Sequence, residues 1–176
     1  MTAQLALLDL SVESYRRPKV VRRRAPRLNR RALEDNPLSQ WFLPAEVADA
    51  IVRWTDLRGV QSLIEPSCGD GALLSAVLTH HQIDRICGIE IDEDLAADTA
   101  ARLGLHVQCD DFLALQPPKV RFEVSLMNPP FENGQAERHI LQGLSFADRV
   151  VAHVPLSTLE GAMRREGIWS HEIGRA

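Results

Sequence analysis

The feature that most constrains the fold is a repeated switch of hydrophobic period. "PAEVADAIVRWTDL" (44–57) places Val47, Ile51 and Trp54 at i, i+4 and i+7, one face of a helix. "VQSLIE" (60–65) reads as a strand, and "GALLSAVLTHH" (71–81) as a helix opened by a glycine turn. "RICGIEI" (85–91) is a β-branched strand. It leads into "DEDLAADTAARLG" (92–104), a helix with acids in its first turn, Asp92 as its N-cap and Gly104 past its end. "LHVQC" (105–109) and "RFEVSLM" (121–127) read as strands, "GQAERHILQGLSFA" (134–147) as a helix and "RVVAHVP" (149–155) as a fifth strand. Such alternation predicts a parallel sheet covered on both faces, wound right-handedly into a doubly wound α/β fold. These folds bind ligands beyond the carboxyl ends of their strands, so candidate sites belong immediately after strands.

The 176 residues fit one domain with an ordinary globular mix, 45% hydrophobic and 25% charged. Charge is unevenly spread. Residues 1–38 carry nine Lys/Arg against four Asp/Glu, a net of +5, and the rest carries eleven against twenty, a net of −9. Residues 1–38 are expected to be a basic, disordered arm preceding a 39–176 core. Its Arg22, Arg23, Arg24, Arg27, Arg30 and Arg31 read either as a solvated tail or as a phosphate-binding cluster. Cys68, Cys87 and Cys109 form no C-x-x-C pair, so neither a metal site nor a disulfide framework is expected. "LALLDL" near the start is too short for a signal core, and no run approaches eighteen apolar residues. A reducing, cytoplasmic setting is expected.

Four strand ends carry chemistry-bearing residues. In "IEPSCGDGALL" (64–74), Gly69 and Gly71 permit a tight turn, and Glu65 offers an acid suited to a cation rather than a phosphate. The turn lacks the third glycine of a dinucleotide fingerprint, so a pyrophosphate site is a weak reading. Glu90 ends the second strand 21 residues after Gly69, where an acid can accept ribose hydroxyls; the bland alternative is a solvated strand end. In "CDDFLAL" (109–115), Asp111 and Phe112 suit a purine's amino group and ring, or else cap a turn and fill the core. The fourth end is "NPPF". Pro129 and Pro130 fix the backbone and hold Asn128 extended. The Asn128 side-chain carbonyl and the Pro129 carbonyl can each accept from an amino group, and Phe131 can stack on a planar ring.

Glu-Pro-x-Cys-Gly-x-Gly, Gly-Ile-Glu-Ile-Asp, Asp-Phe-Leu and Asn-Pro-Pro-Phe in this order resemble the S-adenosylmethionine-dependent N6-adenine DNA methyltransferases, in the group whose cofactor motifs precede the catalytic one. The resemblance spans roughly 42–155 and implies a Rossmann-like class I methyltransferase sheet, about five strands in the order 3-2-1-4-5. It implies S-adenosylmethionine as cofactor, with Pro44 on the helix that closes over its methionine end. Glu65 would face the methionine amino group, with Pro66, Cys68, Gly69 and Gly71 shaping the loop around it. Glu90 would take the ribose hydroxyls, Ile91 would pack on the cofactor's adenine, and Asp111 and Phe112 would hold that ring. Asn128, Pro129 and Pro130 would present the target amino nitrogen, and Phe131 would stack on a flipped base. DNA is the implied partner and DNA methylation, including restriction–modification, the implied setting.

The family sheet usually has seven strands, the last two forming a hairpin, with a target-recognition region besides. Five strands are visible here, so the chain is expected to be incomplete at its C-terminus or to rely on a second subunit, with the fifth strand an open edge. RNA or a protein glutamine are alternative acceptors, and a non-catalytic cofactor- or nucleic-acid-binding subunit is an alternative role. His139, His153 and His171 show no ligand spacing and read as ordinary surface or core residues.

Overall fold

The computed structural model of the chain describes residues 5–11 and 42–158. The strands are β1 (Leu5–Ser11), β2 (Ser62–Pro66), β3 (Arg85–Glu90), β4 (His106–Cys109), β5 (Phe122–Met127) and β6 (Ala147–Pro155). They form one sheet in the order β1-β6-β5-β2-β3-β4. Strands β2 to β6 are parallel and, numbered among themselves, lie 3-2-1-4-5, as expected. Helices α1 (Ala45–Trp54), α2 (Ala72–His80), α3 (Glu93–Leu103) and α4 (Gln135–Phe146) cover the sheet. The chain runs outward from β2 to β4 and then returns to β5 on the other side of β2. Strand order reverses between β2 and β5, and a crevice opens at their carboxyl ends.

Strand alternation supplies both faces. Leu63, Val124, Leu126 and Val151 join Ile51, Val52, Leu74 and Val77 in one cluster against α1 and α2. Their neighbours Met127, Val150, Ala152 and Val154 pack with Ile140 and Leu144 of α4, while Ile64 meets Phe112 and Phe146. Asp92 caps α3, its carboxylate accepting from the Asp94 and Leu95 N–H groups at 3.1 Å, and Gly104 ends that helix in the left-handed region. Arg121 donates to the Leu144, Ser145 and Ala147 carbonyls and pairs with Asp148, so a cation neutralises the end of α4 where the chain turns into β6.

Three expectations are corrected. The far side of β6 is not an open edge, because Leu5–Ser11 runs antiparallel along it, from Leu5 opposite Pro155 to Ser11 opposite Arg149. A disordered arm over all of 1–38 is therefore wrong for this segment: an extended seven-residue run satisfies the backbone groups that an edge strand otherwise leaves unpaired. Arg22, Arg23, Arg24, Arg27, Arg30 and Arg31 lie outside the described residues, as do residues 159–176 with His171. In α1 the buried stripe is Ala48, Ile51 and Val52, whereas Val47 is 37% and Trp54 75% exposed. The helix is rotated so that i, i+3 and i+4, rather than i, i+4 and i+7, face the sheet. No described helix is long and apolar enough to cross a membrane.

Helix α2 starts at Gly71, φ 70°, where an added Cβ would lie 2.6 Å from Thr99 Cγ2 and 2.9 Å from Leu103 Cδ1. Gly104, φ 65°, faces open space. Gly71→Ala combines left-handed strain with overpacking and is expected to cost about 2–4 kcal/mol. Gly104→Ala carries the backbone strain alone, about 1 kcal/mol. Urea midpoints at unchanged m-value measure both, and equal losses would show that the contact with α3 is unimportant.

Candidate active site

The turn leaving β2 is held open by its own backbone. Ser67, Gly69 and Gly71 have φ of 61°, 53° and 70°. Ser67 bears a side chain in this left-handed region, at a cost of roughly 1–3 kcal/mol. The surroundings over-determine the conformation. The Cys68 N–H donates to the Ile89 carbonyl at 2.9 Å, and Thr99 Oγ1 donates to the Gly69 carbonyl at 2.9 Å.

Glu90 holds the turn from the neighbouring strand. Its Oε2 accepts from Gly69 N at 2.7 Å, and its Oε1 accepts from Ile91 N and Asp92 N at 3.0 Å each. The side chain is buried, 5% exposed, so it is not a solvated strand end. With two lone pairs per oxygen, Oε1 is filled and Oε2 keeps one acceptor position.

Glu65, at the end of β2, is 2% exposed, and its Oε2 has no hydrogen-bond partner. Burial raises its carboxyl well above the usual range, against the opposing hydrogen bond from the Leu74 backbone; Asp70 and Glu90 add to the rise. Burial likewise pushes the Cys68 thiol up, with Glu65 and Glu90 reinforcing it, so Cys68 is a packing group rather than a nucleophile. The Cys68 sulfur lies 3.0 Å from where a Cβ on Gly88 would stand, which ties the turn closely to β3.

After β4, Asp111 Oδ1 accepts from the Leu113 N–H at 2.9 Å and caps a single 3₁₀ turn, Phe112–Ala114. Phe112 is 3% exposed and packs on Phe146 and His139, with ring centroids 4.9 and 5.7 Å apart. The capping and core readings of this pair therefore hold, and both residues also line the cleft. After β5, Asn128 Oδ1 meets His153 Nδ1 at 2.9 Å. Phe131 is half-buried against the α4 cluster. Asn133 and Gly134, at φ 53° and 71°, turn the chain into α4.

These strand ends converge on a cleft whose lining includes Gly69, Glu90, Ile91, Asp111, Phe112, Asn128, Pro129, Pro130 and Phe131. A smaller cavity adjoins it through Phe42, Ser67, Gly69 and Asn128 and is lined by Glu65 and Cys68. Three expected site residues are not on either lining. Pro44 is the N-cap of α1, Pro66 ends β2, and Gly71 packs against α3. Phe42 and Leu43 occupy the place expected of Pro44, with the Phe42 ring over Gly69. Gln135 and His139 of α4 were also missed; helical spacing puts both four residues apart on the helix that follows "NPPF". His139 donates from Nδ1 to the Gln135 carbonyl at 2.8 Å, and its burial lowers its pKa. His153, read from sequence as unremarkable, is a partner of Asn128. The cleft lining carries Glu90, Asp110 and Asp111 but no Lys or Arg, so it favours a cation. Among the described residues no group of three or more His, Cys, Asp or Glu is arranged to hold a metal ion.

Solved structures share this architecture. PH1948 from Pyrococcus horikoshii, a proposed RNA methyltransferase, superposes with a TM-score of 0.63 at 18% identity, over 76% of this chain and 69% of that one. TrmN from Thermus thermophilus superposes with a TM-score of 0.56 at 19% identity, over 68% of this chain and 41% of that one. Magnesium protoporphyrin IX methyltransferase from Synechocystis PCC 6803, with bound SAM, gives 0.50 at 15% identity, over 61% of this chain and 57% of that one. The chain thus spans only about half the length of the last two. At these identities the likeness is one of fold: a Rossmann-like sheet of the class I methyltransferase type. No protein-family model matches the chain, and no curated protein matches it.

Because Glu65 has a higher pKa folded than its ordinary 4.5, the unfolded chain releases that proton first. Its contribution to stability therefore falls as pH rises from about 4.5 toward the folded value. Glu65→Gln removes this slope. Melting temperatures of parent and variant are expected to diverge between pH 4 and pH 8 in the variant's favour, and parallel curves would contradict a raised carboxyl.

Proposed function

We propose that the chain binds S-adenosylmethionine and transfers its methyl group to an exocyclic amino group of a nucleic-acid base, with the N6 of adenine in DNA as the favoured acceptor. The observation that carries this reading is the convergence of "NPPF" and three acidic strand ends on one cleft and the cavity adjoining it, at the point where strand order reverses.

The residues present fit the cofactor. Glu65 offers a buried carboxyl oxygen without a partner, suited to the ammonium of a methionine moiety. Glu90 keeps one acceptor position for a ribose hydroxyl. Ile91, 52% exposed at the cleft wall, offers an apolar surface to a purine, and Asp111 has a second oxygen for an amino group. When bound, the cofactor supplies an electrophilic methyl on a sulfonium, whose positive charge suits a lining rich in carboxylates.

Asn128 and the Pro129 carbonyl accept the two hydrogens of the target amino group. The exocyclic nitrogen of adenine is a poor nucleophile because its lone pair is delocalised into the ring. Two acceptors favour a pyramidal nitrogen whose lone pair faces the methyl donor. Positioning and dipole complementarity do the catalytic work, and the proton leaves after attack. The prolines hold the two acceptors rigidly, and Phe131 offers a face to a base rotated out of the stack. The basic residues between Arg16 and Arg31 suit a polyanionic acceptor.

RNA is the second reading, favoured by the likeness to PH1948. Tritiated-methyl transfer to unmethylated DNA and to RNA, offered side by side, tests both. The parent chain is expected to label DNA, and Asn128→Ala to lower kcat by roughly 100-fold or more while calorimetric binding of S-adenosylmethionine persists. Equal labelling by parent and variant would overturn the role of Asn128, and labelling of RNA alone would move the acceptor to the second reading.

A further inference from the structure

Strands β5 and β6 are parallel with Met127 beside Ala152. The next residues therefore stand side by side, Asn128 just past the end of β5 and His153 still within β6. Their side chains meet, Nδ1 of His153 lying 2.9 Å from Oδ1 of Asn128. His153 is 8% exposed and lies within β6, in a run of buried residues from Val150 to Val154.

An amide oxygen only accepts, so the hydrogen in this pair belongs to His153 Nδ1. Burial lowers the pKa of His153, which keeps the ring neutral near pH 7 and leaves Nε2 as an acceptor. The bond occupies one lone pair of Asn128 Oδ1 and leaves the other for a ligand. It also decides which end of the amide points where. Without it, rotation of the amide by half a turn would exchange Oδ1 for the Nδ2 donor and offer a hydrogen to the hydrogens of an amino group. The prolines after Asn128 hold its backbone, but they do not choose between these two states of its side chain.

We propose that His153 is a positioning residue that locks the Asn128 amide with its oxygen available to the substrate amino group, an inference that rests on the methyl-transfer reading above. His153→Leu keeps the bulk and removes the donor. His153→Asn returns an N–H donor two bonds beyond Cβ, where Nδ1 stands. His153→Leu is expected to lower kcat by about 10- to 100-fold, the scale of a misplaced catalytic group. Its KM for S-adenosylmethionine and its melting temperature should stay close to those of the parent. His153→Asn is expected to recover most of the loss. A merely structural role would lower stability and leave kcat of the folded fraction unchanged. Two-bond ¹H–¹⁵N spectra of the parent chain add a readout that does not depend on turnover: His153 should carry its hydrogen on Nδ1, and Asn128→Ala should release that preference.

A parental kcat in His153→Leu, a His153→Asn variant no better than His153→Leu, or an Nε2-protonated ring in the parent would each overturn the inference while leaving methyl transfer intact. Absence of transfer by the parent to either nucleic acid would overturn the methyl-transfer reading, and this role with it.

Discussion

The carboxylate of Glu90 is the interaction around which the ligand-binding end of the sheet is organised. One side chain, at the last position of β3, accepts three backbone N–H groups, one of them from Gly69 on the preceding turn. Hydrogen bonds to a charged acceptor are about twice as strong as neutral ones, and here they join two loops that share no covalent neighbour. The left-handed residues of the turn would relax if this tie were lost, because their conformation is locally unfavourable. Gly69 then could not stay beneath Phe42, nor Cys68 against Gly88. The same residue is thus a structural clamp and, through its remaining acceptor position, part of the candidate site.

Topology turns this local order into a site. Only at the reversal between β2 and β5 can a residue of the first motif stand across from one of the last, so Glu65 and Asn128 share the lining of one small cavity. The acids lie toward β2, β3 and β4, and the amide and ring toward β5. A ligand with a cationic, a polar and an aromatic part would meet each kind of group in its own sector. The strand β1, distant in sequence, pairs along the far side of β6 and extends the sheet there.

Much of this was legible in the sequence because its signals are local. The period switches located the parallel strands and their helices, and most of the residues named at strand ends line the cleft or the cavity beside it. Asp92 and Gly104 announced their caps by chemistry alone. What was illegible depends on rotation, register or remote pairing. Val47, Ile51 and Trp54 fit a helical stripe, yet packing chose Ala48, Ile51 and Val52. Gly71 looked like Gly69, but whether a glycine faces a ligand or a helix is decided by neighbours 28 or more residues away, such as Thr99. His153 belongs to no motif; its link to Asn128 exists because β5 and β6 are aligned residue for residue. An attempt to align "SLMN" with "VVAH" in parallel would have been the one signal pointing to it.

The buried carboxyl of Glu65 has a consequence for ligand exchange. Burial disfavours the charged form of this carboxyl, whereas an ammonium docked against it favours that form, so docking promotes release of the proton to solvent. Binding there is an exchange of one positive particle for another. Its free energy then depends on how readily the surrounding solution accepts a proton, and its measured heat includes the heat of protonating the buffer. Between the ordinary carboxylate range and the raised value, each step toward alkalinity makes the exchange more favourable.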